Sequence, residues 1–406
     1  MIYSCIDIGS DTIKIVVGKI ENNEIYILSA TNTRSVGIKK GIIVDKDLAM
    51  KSINLALDEV EKELGFRIDK AIINVPLNNV NVDIYNGLCY PDGEITGDDV
   101  ITCFKSSVST IDMDKEVVTV FPIDFLIDDE KTVLDPKGEV GNKLESRMLI
   151  STVPKEDVYP YLELLEKCHV EVIDLSFGVV NDFYNLKDND DFSKGSGAIV
   201  DIGNDKIELA IFNKGLMVEG EVLSYGSKLL DHDIGYIYHL DKVTSRDLKE
   251  NLAMASSQYA DADEIVEYES VDDKHLKVNQ VEVSQIIEAR LEEILKNVKK
   301  DLNNLTNREI SYIIITGGVS NLPGFDYLIE NILGDKTYSI SINTIGVRNN
   351  IYTSCVGMLK YYYDKLKIRG INYTMYNEVE KEIKDSKRNI LHEKIIEDMK
   401  RYLENN

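Results

Sequence analysis

Basic residues are scarce in this sequence: 46 Lys and Arg stand against 71 Asp and Glu, a formal net charge of −25 over 406 residues. Such a charge repels nucleic-acid phosphates and anionic lipid, and it argues against a nucleic-acid role. Cysteine is sparse as well. Cys5, Cys89, Cys103, Cys168 and Cys355 show no C-x-x-C spacing and no framework of the kind small secreted domains use, so they read as reduced thiols in a cytosolic protein. No apolar run reaches the roughly 18 residues that a membrane-spanning helix needs. Asp7 and Lys14 interrupt the apolar stretch at residues 1–20, and no small-residue cleavage site follows. Export is therefore not expected, and any membrane contact should be peripheral. A chain this long can bury a large core and favours two to four domains.

What is present is an internal repeat. Ile6-Asp7-Ile8-Gly9-Ser10-Asp11-Thr12-Ile13 lies over Val200-Asp201-Ile202-Gly203-Asn204-Asp205-Lys206-Ile207, each copy preceded by an apolar strand and followed by a second alternating one. Each copy reads as a hairpin with Asp and Gly at its bend. Glycine lets backbone come close to a ligand, turn N–H groups can face anionic oxygens, and the carboxylate can hold a hydrated magnesium ion. One such turn is ordinary hairpin chemistry. Two in corresponding places suggest facing turns that grip one nucleotide between similar halves, with Mg2+ near Asp7 and Asp201. A third glycine site, Ile313-Ile314-Ile315-Thr316-Gly317-Gly318-Val319-Ser320, reads as a buried strand entering a Gly-Gly turn, placed to receive the adenosine side of the same cleft.

Between the glycine sites the pattern predicts strands at Glu24–Ala30 and Lys70–Val75, a helix from about Asp47 to Leu64 capped by Asp45 or Asp47, and a long helix from about Val283 to Leu305. Strand, strand, strand, helix, strand points to a mixed sheet with helices packed on it. From Tyr85 to about Leu165 short strands such as Glu116–Phe121 and Ser146–Val153 flank a turn-rich Asp135-Pro136-Lys137-Gly138, which suggests a separate small insert. The acidic run near Ala262–Asp273 reads either as a second insert or as a solvated loop. At the C-terminus, Leu391, Ile395, Ile396, Met399, Tyr402 and Leu403 fall on one arc of about 140° of a helix at 390–406, with charged residues opposite. This helix is expected to lie on lipid or to pack on a partner.

The order D-I-G-S, D-I-G-N and T-G-G-V-S-N-L-P-G resembles the superfamily of actin, sugar kinases and heat-shock chaperones. Several stretches then resemble the FtsA family in particular. They are Ile6 to Lys14, the basic glycine loop Val36-Gly37-Ile38-Lys39-Lys40-Gly41, and two stretches of the insert, Gly93-Glu94-Ile95-Thr96-Gly97-Asp98-Asp99-Val100 and Leu134 to Glu145. The resemblance covers about 1–365 and implies an α/β, actin-like (ribonuclease-H-like, duplicated) ATPase fold carrying an FtsA-type inserted subdomain. The implied layout is 1–84 and 166–196 for the first domain, 85–165 for the insert, 197–364 for the second domain with a smaller subdomain at about 235–308, a linker at 365–389 and the helix at 390–406.

The resemblance implies ATP and Mg2+ as cofactors. The expected nucleotide contacts are Asp7, Gly9, Ser10, Asp11 and Lys14 on one side, Gly203, Asn204, Asp205, Lys206, Gly226 and Lys249 on the other, and Gly317, Gly318 and Val319 at the third turn. It also implies a cytoplasmic adaptor that tethers the division polymer FtsZ to the inner face of the membrane, assembles with itself and meets later division proteins through the insert. Arg290 on the helix Ile286 to Ile294 would meet the acidic FtsZ tail with help from Lys299 or Lys300; the plain alternative is that Arg290 pairs with a nearby Glu. The chain departs from the family pattern in three places. Asn204-Asp205-Lys206-Ile207-Glu208 replaces G-G-T-T-D, Arg246 stands where a ribose-binding glutamate is usual, and the terminal helix has neither Trp nor Phe and no net positive charge. Two other readings stay open: a degenerate scaffold that binds FtsZ without ATP, and a small-molecule kinase of the same superfamily. No catalytic base is evident, so any hydrolysis of ATP should be slow.

Overall fold

The computed structural model describes residues 1–272, 274–340, 342 and 344–377. The first half is built on the apolar strands Ile2–Ile8, Thr12–Glu21 and Glu24–Arg34, which form an antiparallel meander. Lys70–Val75 joins Ile2–Ile8 in parallel, and Glu171–Phe177 joins Lys70–Val75 in parallel. The helix Lys46–Leu64 covers this sheet. Asp45 caps its first turn through Leu48 N–H, Gly65 ends it in the left-handed conformation, and Ala49, Ile53, Ala56, Leu57 and Val60 face inward.

The second half repeats the plan. Ser196–Ile202, Ile207–Asn213 and Leu216–Leu223 form the meander, Tyr312–Thr316 joins the first of these in parallel, and Thr337–Ser339 lies outermost. Reading each sheet from its meander edge gives the same order, third, second, first, fourth, fifth. In both sheets the first and fourth strands are the central parallel pair, so the hairpin bends at residues 9–11 and 203–206 open at corresponding edges of the two halves. Helices Lys228–Tyr238, Lys242–Leu252, Gln280–Leu305 and Phe325–Leu333 bury the second sheet and its own apolar core. Asn279 caps Gln280–Leu305. The acidic stretch is part of a small hairpin, Ile265–Glu269 against His275–Asn279.

Between the first-half strands Lys70–Val75 and Glu171–Phe177 sits a separate four-stranded antiparallel sheet, whose long strands Asn81–Cys89, Lys115–Ile127 and Leu144–Pro154 are packed by the helix Gly97–Val108. A reciprocal Thr96–Asp99 capping box starts that helix. Its core of Phe104, Phe125, Met148 and Ile150 is distinct from the two main ones. The helix that follows, Lys155–Lys167, turns Val158, Tyr161, Leu164 and Leu165 into the first-half core instead.

The chain after the last long helix, Thr353–Ile368, is not free linker at first. Met375 N–H donates to Ile2 O at 3.0 Å and Ile2 N–H donates to Thr374 Oγ1 at 2.7 Å, while Tyr376 is buried and its hydroxyl donates to Lys70 O at 2.9 Å. Residues 373–376 thus strap the first two strands of the first sheet's parallel set, which the expected 365–389 linker did not anticipate. No helix among the described residues is long and apolar enough to cross a membrane. The expected terminal helix, with Leu391, Ile395, Ile396, Met399, Tyr402 and Leu403, lies outside the described residues.

Candidate functional site: a cleft between two hairpins

The two Asp-Gly hairpins face one another across a cleft of about 530 Å³. Of the residues expected from sequence to meet nucleotide, all but Gly226 line it, and Asp201 lies beside them. Gly226 stands directly behind the second bend, where a Cβ would come within 2.4 Å of Gly203 O and 2.6 Å of Asn204 O. Ser227 N–H and Lys228 N–H donate to the same two carbonyls at 2.9 and 3.0 Å, so the start of the helix Lys228–Tyr238 braces the bend. Gly317 enters the third turn with φ of +97°, and a Cβ there would lie 2.4 Å from Ile202 O. Only glycine brings these backbones so close.

The charges at the centre are held in pairs. Lys14 Nζ meets Asp7 Oδ2 at 2.7 Å, and Asn74 Nδ2 donates to Asp7 Oδ1 at 3.2 Å. Burial works against the Lys14 charge, but Asp7 outweighs it and the lysine pKa lies above its ordinary value. In the second hairpin the residue across from Asp201 is Glu208 rather than a lysine, and this reverses the electrostatics. Burial first and the Glu208 charge second push the Asp201 carboxyl up to about 7, against the pull of Lys14. Asp182, at the back of the cleft, is held well above the carboxylate range by burial and by Asp201. One of its oxygens accepts from Ser354 Oγ at 2.7 Å and the other, buried, has no hydrogen-bond partner among the described residues.

Three contacts join the halves through residues that depart from the family pattern. Arg246 Nη2 reaches Asp11 Oδ1 at 2.8 Å in the first hairpin while its Nε lies 3.5 Å from Asp231 Oδ2. Lys249 Nζ takes the other Asp231 oxygen at 2.6 Å. Asp205 is gripped by Lys228 Nζ at 2.6 Å and accepts from Lys40 N–H at 3.3 Å across the cleft. Glu208 accepts from Lys206 and, across the cleft, from Leu77 N–H at 3.2 Å. Beside them Ser10 Oγ accepts from Gly41 N–H at 3.1 Å, and Tyr161, buried, donates to Gly41 O at 2.6 Å. Asn74, Tyr161, Asp182, Glu208 and Asp231 were not expected from sequence. Glu208 follows the second bend directly, where the sequence marked only a departure from the family pattern; the other four lie on elements outside the glycine motifs, and no local pattern marks them.

Arg290 lies on the long helix, away from the cleft. It is engaged within the chain, with Nε 2.5 Å from Asp233 Oδ2 and Nη1 2.5 Å from Glu293 Oε2. Lys299 Nζ donates to Ile332 O at 2.6 Å, and Lys300 is exposed on the same helix.

Two like-ordered sheets around a central cleft, each opening with an Asp-Gly hairpin, define an actin-like protein. Solved structures agree: a chain of the PilM-PilN type IV pilus biogenesis complex aligns with a TM-score of 0.58 at 12% identity over 88% of this chain and 97% of that one. MreB5 of Spiroplasma citri bound to ADP aligns with a TM-score of 0.56 at 11% identity, over 91% and 98%. The sheet inserted into the first half separates this chain from plain actin-like proteins. The family model described as the SHS2 domain inserted in FTSA matches residues 73–152, and that described as Cell division protein FtsA matches 198–357. Cell division protein FtsA of Bacillus subtilis (strain 168) is 29% identical over 390 residues, 94% of this chain and 88% of that protein. That of Enterococcus hirae is 26% identical over 365 residues, 88% and 82%. The chain belongs to the FtsA family of cell division proteins.

Proposed function

We propose that this protein is a nucleotide-controlled adaptor of the division apparatus that binds FtsZ and brings it to the inner face of the membrane. The observation that carries the nucleotide part is the convergence of the two hairpins and the Gly-Gly turn on one cleft. In this reading Asp7, Gly9, Ser10, Asp11 and Lys14 meet the phosphates from one side, and Gly203, Asn204, Lys206 and Lys249 from the other. Gly317, Gly318 and Val319 receive the adenosine. Mg2+ fits as an ion carried in with the phosphates. Both Asp7 oxygens are already engaged, and no group of three or more His, Cys, Asp or Glu among the described residues could hold a metal by itself. Asp7 and Asp201 would then meet the ion through its waters, and it would neutralise the excess of carboxylate.

The FtsZ tail would dock on the face of Gln280–Leu305 that carries Arg290, with Lys300 as a second cation and Lys299 turned aside to the Ile332 carbonyl. Arg290 is supplied with internal carboxylates, so a tail carboxylate must displace Asp233 or Glu293, and binding should be weak for one copy and firm for an assembled array. Self-assembly and contacts of the insert with later division proteins complete the proposal, with the residues beyond 377 reaching lipid. A labelled FtsZ C-terminal peptide, titrated with the full chain and read by fluorescence anisotropy, tests it. Arg290→Glu should weaken binding at least tenfold; unchanged affinity would move the docking site elsewhere.

A further inference from the structure

The cleft is already anionic before any ligand arrives. Its lining contains four cations, Lys14, Lys206, Arg246 and Lys249, among six carboxylates, and each cation is paired within the chain. Asp205 has a special place among these acids. It sits in the bend of the second hairpin, 6% exposed, yet its two oxygens do what an anion lodged between the halves would do. Oδ1 takes an ammonium of the second half, Lys228, and Oδ2 takes a backbone N–H of the first, Lys40. The loop that supplies this N–H is fixed by Ser10 and Tyr161 on both sides of Gly41.

We infer that the Asp205 carboxylate occupies the role of a terminal phosphate, so that the cleft selects a nucleoside diphosphate over a triphosphate and the halves close on the diphosphate form. The inference rests on the proposed nucleotide-binding function and adds the ligand's charge state to it. A third phosphate would bring another negative charge toward a carboxylate whose oxygens already accept from donors of both halves. At a separation of several ångströms in a half-buried site, one such repulsion lowers affinity by about tenfold. Asp205 is a specificity-determining residue in this account, and Lys228 positions it.

The test is a titration of fluorescent ADP and ATP analogues, with Mg2+, into the full chain and into Asp205→Asn and Asp205→Gly. Circular dichroism verifies the fold of each. The expected result is tighter binding of ADP than of ATP by the natural chain, and a shift of the ratio toward ATP of about tenfold in both variants. Lys228→Met frees Asp205 without removing its charge, and should leave the preference for ADP in place while weakening both ligands. Preference for ATP in the natural chain, or a ratio unmoved by both Asp205 variants, overturns the inference and leaves nucleotide binding standing. Failure of every protein to bind either analogue would overturn the nucleotide reading as a whole. If Asp205→Gly fails to fold, Asp205→Asn, which keeps the shape, decides.

Discussion

Asp201→Asn gives a stability change of calculable sign. The Asp201 carboxyl rises from 3.8 to about 7 because folding buries it beside Glu208. A carboxyl raised in this way is favourable to the native state while protonated. Its stabilisation is intact below pH of about 3.9, is lost as pH rises through the folded value, and is gone above it. A shift of this size corresponds to about 4 kcal/mol in total, of which about 2.5 kcal/mol is lost between pH 5 and 8.5. Asparagine keeps the shape and has no charge to bury. Urea unfolding without nucleotide or divalent cation should therefore find Asp201→Asn more stable than the natural chain at pH 8.5, with the difference shrinking by about 2.5 kcal/mol on going to pH 5. Added Mg2+ and nucleotide should recover stability at pH 8.5 in the natural chain more than in the variant. A difference that stays constant from pH 5 to 8.5, or a variant less stable at pH 8.5, would refute the electrostatic account of the second hairpin.

Three further outcomes follow from the same contacts. Arg246→Ala and Asp11→Ala, combined in a double-mutant cycle, should show a coupling of about 1 kcal/mol that weakens in high salt, since both side chains are about one-quarter exposed. Ending the chain after Ile371 should cost about 3 kcal/mol relative to ending it after Asn377, measured by urea unfolding, because only the longer form keeps Met375 and Tyr376 buried on the first sheet. Gly317→Ala should destabilise by about 2 kcal/mol or more by the same assay and weaken nucleotide binding, because its φ of +97° and the 2.8 Å approach to Asp201 Oδ1 leave no room for a methyl group.

The duplicated plan was legible because both hairpins carry the same short motif on strands with the same apolar pattern. The helix at 46–64 and the strand at 70–75 were legible because their periodicity is local. The actin-like fold and the FtsA resemblance came from those motifs together with the stretches of the insert. The pairing of charges was not legible. Asp11 and Arg246 are 235 residues apart, Asp205 meets a backbone N–H of the other half, and Arg290 finds Asp233 from a different helix. The alternative in which Arg290 pairs with a nearby Glu does occur, through Glu293 one helical turn away, and Asp233 adds a second partner. The strap at 373–376 was hidden by its polar surroundings in sequence. It is held by Thr374 and tyrosine hydroxyls that find backbone carbonyls and N–H groups, contacts that have no periodic signature. Lys155–Lys167 follows the insert without a break in sequence, and only packing assigns it to the first core.

In the proposed function this protein carries FtsZ to the membrane. The most direct measurement is co-pelleting with liposomes in the presence of fluorescent FtsZ, comparing the full chain with one ending at Asn377 and the full chain bearing Arg290→Glu. FtsZ should reach the vesicles only with the unmodified full chain. FtsZ that pellets equally with the chain ending at Asn377, or fails to pellet with the full chain while that chain itself binds lipid, would contradict the adaptor reading.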